Sequence, residues 1–362
     1  MIFEITQIAH QCSSVSVLPG MWYPTKNMTS KRGYLTSMFV ADMNSVQIIG
    51  GSDDFSNLSS TETFFVSNGS FQRRTDTLAK RWQHTANCLN GRLIIIAGGR
   101  PSPQTAELYD PLLGAPNRSI NMNVSRALHA SAVIDDDGNS TKKLLLVGGH
   151  DGIYALDSGE VFNAQTNSFT AVSNKMTSRR YYHTATAIGK GYVLVAGGVN
   201  SASMKLDTLE LYNSSSNQFV SLLSRMSVGR AFHTATYIPS IQAVLIVGGW
   251  SMAGVVQTYD LFNVSTFNFT VRNGTTLSPR AYHTATLLLD NRVLIVGGLN
   301  STRLSSCEIY DPVLKRFTNV TNMSVARADH SATLLEKTGQ VLVCGGQTIT
   351  GTMLNRCELY QP

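Results

Sequence analysis

Residues 280–298 read RAYHTATLLLDNRVLIVGG, and this spelling returns along the chain. Residues 230–249 read RAFHTATYIPSIQAVLIVGG, and residues 180–198 read RYYHTATAIGKGYVLVAGG. Each copy begins with an arginine, has a histidine three residues later and ends on two glycines after an apolar run. A spelling that recurs at a fixed period is typical of a repeat protein, so the period decides the fold.

The paired glycines mark seven units. Successive pairs are 48 to 51 residues apart and stand at 50–51, 98–99, 148–149, 197–198, 248–249, 297–298 and 345–346. One unit of this length cannot bury its own apolar face, so the units must stack on one another. The sequence therefore predicts one continuous repeat domain of seven units.

Each unit predicts four short strands. In the sixth unit these are residues 283–289, 292–296, 307–310 and 316–320, separated by turns such as Asp311-Pro312. No stretch of ten or more residues shows clean helical periodicity. The chain is therefore expected to be all-β, and four antiparallel strands in each of seven wedges predict a seven-bladed β-propeller.

The repeat resembles the kelch family of propellers, to which the central domain of galactose oxidase is also similar. Three features carry the resemblance: the double glycine after the second strand, a Glu-Leu-Tyr third strand, and a phenylalanine in the fourth where the family more often has tryptophan. The Glu-Leu-Tyr motif stands at 107–109, 210–212 and 358–360, and the phenylalanines are Phe169, Phe219 and Phe317. The resemblance covers residues 21–362 and implies a closed ring.

The chain ends suggest how the ring closes. The last unit stops after its third strand, at residues 360–362, and Met21–Pro24 precede the first arginine much as a fourth strand would. We expect the N-terminal segment to supply the missing strand of the last blade. Residues 21–362 are then a single propeller domain, and residues 1–20 are an N-terminal tail or linker.

Composition excludes several partners. Lysine and arginine number 29 against 23 acidic residues, a formal charge of +6, and the basic residues come singly or in pairs, so no nucleic-acid-binding track is expected. No apolar run approaches 18 residues, so no membrane span is expected in this chain. The first residues lack a basic leader and do not resemble a signal peptide.

Glycosylation sequons are abundant. Of the 24 asparagines, 13 begin an Asn-x-Ser/Thr sequon: Asn27, Asn57, Asn68, Asn117, Asn123, Asn139, Asn213, Asn263, Asn268, Asn273, Asn300, Asn319 and Asn322. We interpret the chain as a secreted or ectodomain glycoprotein. The alternative is a cytoplasmic chain that is simply rich in Asn, Ser and Thr.

The cysteines do not predict a disulfide framework. There are five, so at least one is unpaired, and a domain of this size needs no covalent staple. Cys307 and Cys357 occupy the same position in neighbouring units. Cys344 lies beside a glycine pair, where other units have Ala, Val or Ile, and it is expected to be a small core residue.

Two charged sets repeat once in each unit. The arginines are Arg32, Arg81, Arg126, Arg180, Arg230, Arg280 and Arg327, and the third-strand acids are Glu62, Glu107, Glu160, Glu210, Asp260, Glu308 and Glu358. Because the two counts match, we expect structural ion pairs within or between blades. The alternative is a cationic ring that captures an acidic ligand.

Six histidines also repeat, three residues after an arginine: His84, His129, His183, His233, His283 and His330. Metal sites gather three or four ligands about one point, whereas residues repeated around a wide ring stay apart. We therefore predict no metal site and no cofactor.

Specificity is expected where the repeats differ, because binding residues lie on variable loops of a rigid scaffold. Variable positions follow the glycine pair and stand two residues after each arginine. In kelch substrate adaptors of ubiquitin ligases, which the chain resembles, both regions line one face. The candidate ligand-binding residues are Tyr34, Arg100, His150, Tyr182, Phe232, Trp250, Tyr282 and Asp329. The alternative is ordinary loop variation without a ligand.

No catalytic motif is evident: the sequence has no nucleophile elbow, HExxH motif, P-loop or dinucleotide fingerprint. We therefore predict a non-catalytic scaffold that binds a protein or a glycan. Two alternatives remain. One is a copper oxidase similar to galactose oxidase, which would need two histidines and two tyrosines around copper with one tyrosine crosslinked to cysteine. The other is an intracellular kelch adaptor.

Overall fold

The computed structural model describes residues 18–113, 115–134 and 142–362. Within these ranges the regular structure is β-strand, apart from single 3-10 turns at Ala41–Met43 and Pro239–Ile241. No helix in the described part of the chain is long and apolar enough to cross a membrane. Residues 1–17 of the predicted N-terminal tail lie outside the described residues.

The strands up to the middle of the chain are β1 (Met21–Pro24), β2 (Thr36–Val40), β3 (Ser45–Ile49), β4 (Thr61–Phe65), β5 (Ser70–Arg74), β6 (Arg81–Trp82), β7 (Thr85–Leu89), β8 (Leu93–Ala97), β9 (Arg100–Pro101), β10 (Thr105–Asp110), β11 (Ala115–Asn121), β12 (Ala130–Ile134), β13 (Lys143–Val147), β14 (Gly159–Asn163), β15 (Ser168–Ala171) and β16 (Thr184–Ala187). The remaining strands are β17 (Tyr192–Ala196), β18 (Thr208–Asn213), β19 (Gln218–Arg225), β20 (Thr234–Ile238), β21 (Ala243–Val247), β22 (Trp250–Ser251), β23 (Gly254–Val255), β24 (Thr258–Asn263), β25 (Asn268–Thr275), β26 (Thr284–Leu287), β27 (Val293–Val296), β28 (Cys307–Asp311), β29 (Arg316–Val320), β30 (Ser331–Leu334), β31 (Val341–Cys344) and β32 (Cys357–Gln361).

Of the 32 strands in the described residues, 28 form seven four-stranded antiparallel sheets, the blades, and the other four form the short two-stranded sheets β6-β9 and β22-β23. In chain order they are β2-β3-β4-β5, β7-β8-β10-β11, β12-β13-β14-β15, β16-β17-β18-β19, β20-β21-β24-β25, β26-β27-β28-β29 and β30-β31-β32-β1. The first strand of each blade lies against the first strand of the next, and β30 against β2 closes the circle. The predicted all-β, seven-bladed propeller is confirmed.

The N-terminal strand completes the last blade, as predicted. β1 pairs antiparallel with β32, with Trp22 opposite Tyr360, and the two rings pack with centroids 5.1 Å apart. The Trp22 indole also donates a hydrogen bond of 2.8 Å to the Thr321 carbonyl of blade 6. The two ends of the chain are therefore joined in one sheet.

The hydrophobic core lies between blades rather than within them. One buried cluster combines Leu145 and Val147 of blade 3 with Val193 and Val195 of blade 4. Similar clusters join the other neighbouring blades. A single blade therefore has no core of its own, which is why the repeat must close on itself.

The paired glycines are required where neighbouring blades meet. Gly248 has φ +61°, and a Cβ at this position would lie 2.3 Å from the Arg280 carbonyl oxygen of the next blade. The Gly249 amide donates a 2.8 Å hydrogen bond to that same oxygen. A larger residue would push the blades apart and break this hydrogen bond. The glycine pair therefore allows neighbouring blades to pack closely.

Cys344 is a core residue, as expected, but the sequence analysis did not predict that it is bonded to a second cysteine. Cys344 is buried, but it forms a disulfide with Cys357, its partner across β31 and β32. Adjacent strands hold the two Cα atoms 4.2 Å apart, which places the sulfurs within bonding reach. Cys88 and Cys307 are free thiols.

Candidate functional site

The seven arginines are buried in ion pairs with the acid of their own blade. Arg180 is typical: its Nη2 lies 2.8 Å from Glu210 Oε1, and its Nη1 donates to the Gly197 carbonyl at 3.0 Å. Glu210 also accepts the Thr177 amide, just before the arginine. The seven pairs are Arg32–Glu62, Arg81–Glu107, Arg126–Glu160, Arg180–Glu210, Arg230–Asp260, Arg280–Glu308 and Arg327–Glu358. None of these arginines lines the pocket described below.

The seven arginines just described are called the ring arginines. Seven residues, each two positions after a ring arginine, form a collar around the mouth of the channel at the centre of the propeller. All seven have left-handed backbone, with φ between +53° and +57°. Their main chains are also joined from blade to blade: the Phe232 amide donates to the Tyr182 carbonyl at 3.3 Å, and the Tyr282 amide donates to Phe232 at 3.1 Å. The collar consists of Tyr34, Gln83, Leu128, Tyr182, Phe232, Tyr282 and Asp329.

The collar side chains line a pocket of about 590 Å³ at the mouth of the channel. One side of the pocket is an aromatic arc from blades 4 to 6. Phe232 lies between Tyr182 and Tyr282, with ring centroids 4.1 Å and 4.3 Å away. Across the mouth, Tyr34 packs edge-on against Trp82 at 5.5 Å. The pocket therefore has apolar walls that can bury a ligand.

The opposite side of the pocket is polar. Gln347 donates through Nε2 to the Asp329 carboxylate and to the Tyr34 hydroxyl, each at 2.7 Å. Burial raises the pKa of Asp329 to about 6, although the hydrogen bond from Gln347 and the charge of Arg303 oppose this shift. Arg303 also lines the pocket, and its Nε is buried without a hydrogen bond.

The pocket tyrosines stay protonated. Burial raises the pKa of Tyr182 to about 12, and Tyr34, Tyr181 and Asp329 add to the shift. Burial and the Asp329 charge likewise raise the pKa of Tyr282. Each phenol can therefore both donate and accept a hydrogen bond.

The six histidines lie just below the collar, and five of them contact a threonine hydroxyl of the preceding blade. The His233 ring, for example, contacts the Thr184 hydroxyl of the preceding blade through Nε2 at 3.1 Å. Burial lowers the pKa of His84, His233 and His330 to about 3 and that of the other three well below its usual value. The imidazoles are thus neutral at physiological pH. In the part of the chain that the structure describes, no three His, Cys, Asp or Glu side chains are grouped as a metal site would need.

The loops after the glycine pairs surround the pocket and are braced from within. Asp53 accepts the amides of Phe55 and Ser56, and Asp151 likewise accepts those of Ile153 and Tyr154. These short side-chain to backbone bonds hold the loops in tight turns. The rim is therefore preorganised.

The structure brings six of the eight predicted site residues into the pocket lining: Tyr34, Tyr182, Phe232, Trp250, Tyr282 and Asp329. The other two are not part of that lining. Arg100 is exposed on β9, and His150 accepts the Gly152 amide and packs on Tyr181.

Among the lining residues that the sequence analysis did not select are Trp82, His183, Arg303 and Gln347. Gln347 directly follows a glycine pair, so the signal that selected Trp250 also applied to it. Arg303 lies further along its loop, beyond both positions considered. His183 was not selected because it belongs to the set of histidines that repeats in six of the seven units.

Comparison with known proteins places the chain in a family. The model of the KLHDC2/KLHL20/DRC7 Kelch-repeats domain matches residues 128–346, more than half of the chain. No curated protein matches. Among solved structures, a fungal alcohol oxidase of the AA5 family, in complex with copper, superimposes with a TM-score of 0.77 and 16% identity over 95% of this chain and 76% of its own. At this identity the likeness shows the fold alone.

Proposed function

This chain belongs to the kelch-repeat family of β-propellers, and from that membership we propose that it is a non-catalytic scaffold that binds a protein or a glycan at its collar face. The observation that carries the proposal is the pocket of about 590 Å³ at that face. Pockets that combine apolar walls with a few fixed polar groups are typical ligand sites.

The preorganisation of the pocket supports binding. Main-chain hydrogen bonds join six of the seven neighbouring pairs of collar residues, and the rim loops are braced by their own side chains. A ligand would therefore meet a backbone that is already ordered, which lowers the free energy needed to order the site.

A binding screen tests this function. Protein and glycan libraries are screened against the wild type and against a collar-face variant carrying Tyr182→Ala, Phe232→Ala and Trp250→Ala. The matched control carries Leu112→Ala, Val313→Ala and Leu314→Ala, which remove exposed apolar side chains from turns between third and fourth strands, at the other end of the blades. We expect hits that the collar-face variant loses and the control keeps. Hits bound equally well by all three proteins would contradict the proposal.

We also propose that the protein is secreted or is an ectodomain, which the described surface supports. Seven sequon asparagines are exposed: Asn27, Asn68, Asn123, Asn268, Asn273, Asn319 and Asn322. The Cys344–Cys357 disulfide fits an oxidising compartment. Glycopeptide mapping of the protein from its native source is the test: occupied sequons support the proposal, and bare asparagines throughout would favour the cytoplasmic, intracellular-adaptor alternative.

The likeness to a copper-bound alcohol oxidase makes oxidase activity the second candidate. The residues that could bind copper do not fit that chemistry. Five of the six repeated histidines are hydrogen-bonded to threonine hydroxyls. Cys307 is a buried thiol, and burial raises its pKa to about 12. Metal analysis of the purified protein, with a peroxide-release assay on alcohols, distinguishes the two. Stoichiometric copper with turnover would favour the oxidase.

A further inference from the structure

Part of the collar end of the propeller, the end of the blades that bears the collar, contains no sequon. Elsewhere at this end, the rim loops and the connections between blades carry Asn27, Asn57, Asn123, Asn300 and Asn322, and Asn273 lies near the same end of the outer strand β25. Between Asn123 and Asn273 the described sequons all lie at the opposite end of the blades: Asn213, Asn263 and Asn268. Asn139 lies outside the described residues.

This sequon-free sector consists of the rim loops of blades 3, 4 and 5 and the connections between those blades, residues 148–158, 197–207, 248–257, 172–179 and 226–229. Each of its rim loops carries an exposed apolar residue. Ile153 is 75% exposed in blade 3, Met204 49% in blade 4 and Met252 64% in blade 5. Apolar side chains that are exposed in a group, rather than singly, mark interaction sites.

The sector continues the aromatic wall of the pocket outwards. The His150 ring, in the blade 3 rim loop, packs edge-on against Tyr181 at 5.6 Å, and Tyr181 packs against Tyr182 of the collar at 5.2 Å. In blade 5, Trp250 lines the pocket and begins the short hairpin β22-β23, whose turn carries Met252. Apolar surface therefore runs from the pocket onto three neighbouring blades.

The exposed apolar residues of two other rim loops lie close to sequons. Phe55 of blade 1 is 96% exposed, and the sequon Asn57 stands two residues after it. Ile349 of blade 7 is 62% exposed, and the connection into that blade carries Asn322. Because N-linked glycans are bulky and polar, occupied sequons would cover these blades and leave the sequon-free sector open.

The sector is positively charged around blade 4. Lys175 and Arg179, on the connection into this blade, share one acid, Asp157, at 3.5 Å and 3.6 Å, and about half or more of each basic side chain is exposed. Lys205 directly follows Met204, and its Nζ contacts a main-chain carbonyl rather than an acid. A partner with carboxylates beside its apolar contacts would complement this charge.

We propose that the sequon-free sector docks a protein partner whose contact surface combines apolar side chains with carboxylates. This inference rests on the proposed function and on the proposed secretion, and it selects protein over glycan and blades 3 to 5 over the rest of the face. Aromatic residues and methionine are enriched in protein interfaces, and the flexible methionine side chain adapts to different apolar partners. Glycans on the flanking sequons would direct the partner to this sector.

The first test uses peptides of defined sequence. A displayed library of random peptides is selected on the glycosylated protein, and we expect the binders to be rich in Asp, Glu and large apolar residues. Ile153→Ser with Met252→Ser should weaken their binding about tenfold or more. The matched control, Phe55→Ser with Ile349→Ser, removes similarly exposed residues from blades 1 and 7 and should leave binding unchanged. Lys205→Glu should weaken binding most at low salt.

The second test places a glycan inside the sector. Ala202→Thr makes Asn200 a sequon in the blade 4 rim loop, and the control Gln165→Thr makes Asn163 a sequon at the opposite end of blade 3. Both asparagines accept a main-chain amide two residues later through Oδ1, so the two sites are locally alike. With occupancy measured by mass spectrometry, glycosylated Asn200 should abolish peptide binding and glycosylated Asn163 should not.

The outcomes separate this inference from the proposed function. Acidic, apolar peptides that require Ile153 and Met252 support the sector, whether or not the native sequons are occupied. Peptides that the collar-face variant loses, but that tolerate Ile153→Ser with Met252→Ser or a glycan at Asn200, overturn the sector and leave the scaffold function standing. Binders without acidic residues overturn the stated chemistry, and glycan binders alone overturn the choice of protein. If neither peptides nor glycans bind the collar face, both proposals fail.

Discussion

A ring arginine stabilises the protein only while its acid is present. Arg180 is fully buried beside Glu210, and burial lowers the pKa of its guanidinium while Glu210 opposes the shift. Removing one member of a buried pair leaves an uncompensated charge, at a cost of about 3–5 kcal/mol. We therefore expect Arg180→Met to lower the free energy of unfolding by that amount, measured by urea denaturation.

Arg225→Met is the matched control, because it breaks the Arg225–Asp207 pair of the same blade, whose atoms are 3.0 Å apart but whose side chains are exposed. Exposed pairs contribute about 0–1 kcal/mol. Equal losses in the two variants would show that the ring pairs are not the buried contacts described here.

Asp329 makes stability depend on pH in an unusual direction. Its pKa is raised to about 6 from the usual 3.8, so between these values the folded protein keeps a proton that the unfolded chain has released. The free energy of unfolding contributed by this residue therefore falls as pH rises through that window. Asp329→Asn should remove the effect.

The readout is the difference in melting temperature between Asp329→Asn and wild type from pH 4 to 7, because the six neutral histidines shift stability in the opposite direction in both proteins. The variant should gain stability relative to wild type as pH rises from about 4 to about 6, and the difference should level off above that pH because Asp329 is then ionised in both states. Parallel curves would show that Asp329 titrates normally.

At the level of strands and turns, the repeat predicted most of the structure. The fourth strand Arg316–Val320 is found as expected, and the third continues one residue further, to Asp311. These strands were predictable because alternation, turn residues and glycines act locally and recur seven times. The pocket was less predictable, because Arg303 reaches it along a loop whose path depends on one blade alone.

The disulfide was missed because the cysteines were compared between blades and not across strands. The residue before the glycine pair faces the first residue of the third strand in several blades, for example Val147 opposite Gly159 and Val296 opposite Cys307. That register places Cys344 opposite Cys357 and could have predicted the bond.

The Cys344–Cys357 bond should stabilise blade 7. It closes a short loop, with a sequence separation of 13, for which the chain-entropy estimate is about 3 kcal/mol. The double variant Cys344→Ala, Cys357→Ala should lose about that free energy of unfolding in urea. Reductant should destabilise the wild type and leave the double variant unaffected; a wild type insensitive to reductant under unfolding conditions would contradict the bond.

For the whole molecule, closure depends on β1. Deleting residues 1–24 removes the strand paired with β32 and the Trp22 contact with blade 6, so an unpaired strand edge becomes exposed. We expect the truncated protein to melt at a lower temperature and to associate, as seen by size-exclusion chromatography with light scattering. Trp22→Ala, which keeps the β1 ladder, should have a smaller effect. A monomeric truncated protein with unchanged melting temperature would contradict closure by β1.

The left-handed collar has a consequence for engineering. The width of its opening is set by main-chain hydrogen bonds, such as the one that the Tyr282 amide donates to the Phe232 carbonyl. The side chains at the seven positions, in contrast, differ and include Tyr, Gln, Leu, Phe and Asp. Positive φ disfavours β-branched residues, and none of the seven is Val, Ile or Thr. A library that randomises these seven codons and omits those three amino acids should yield new specificities on an unchanged frame.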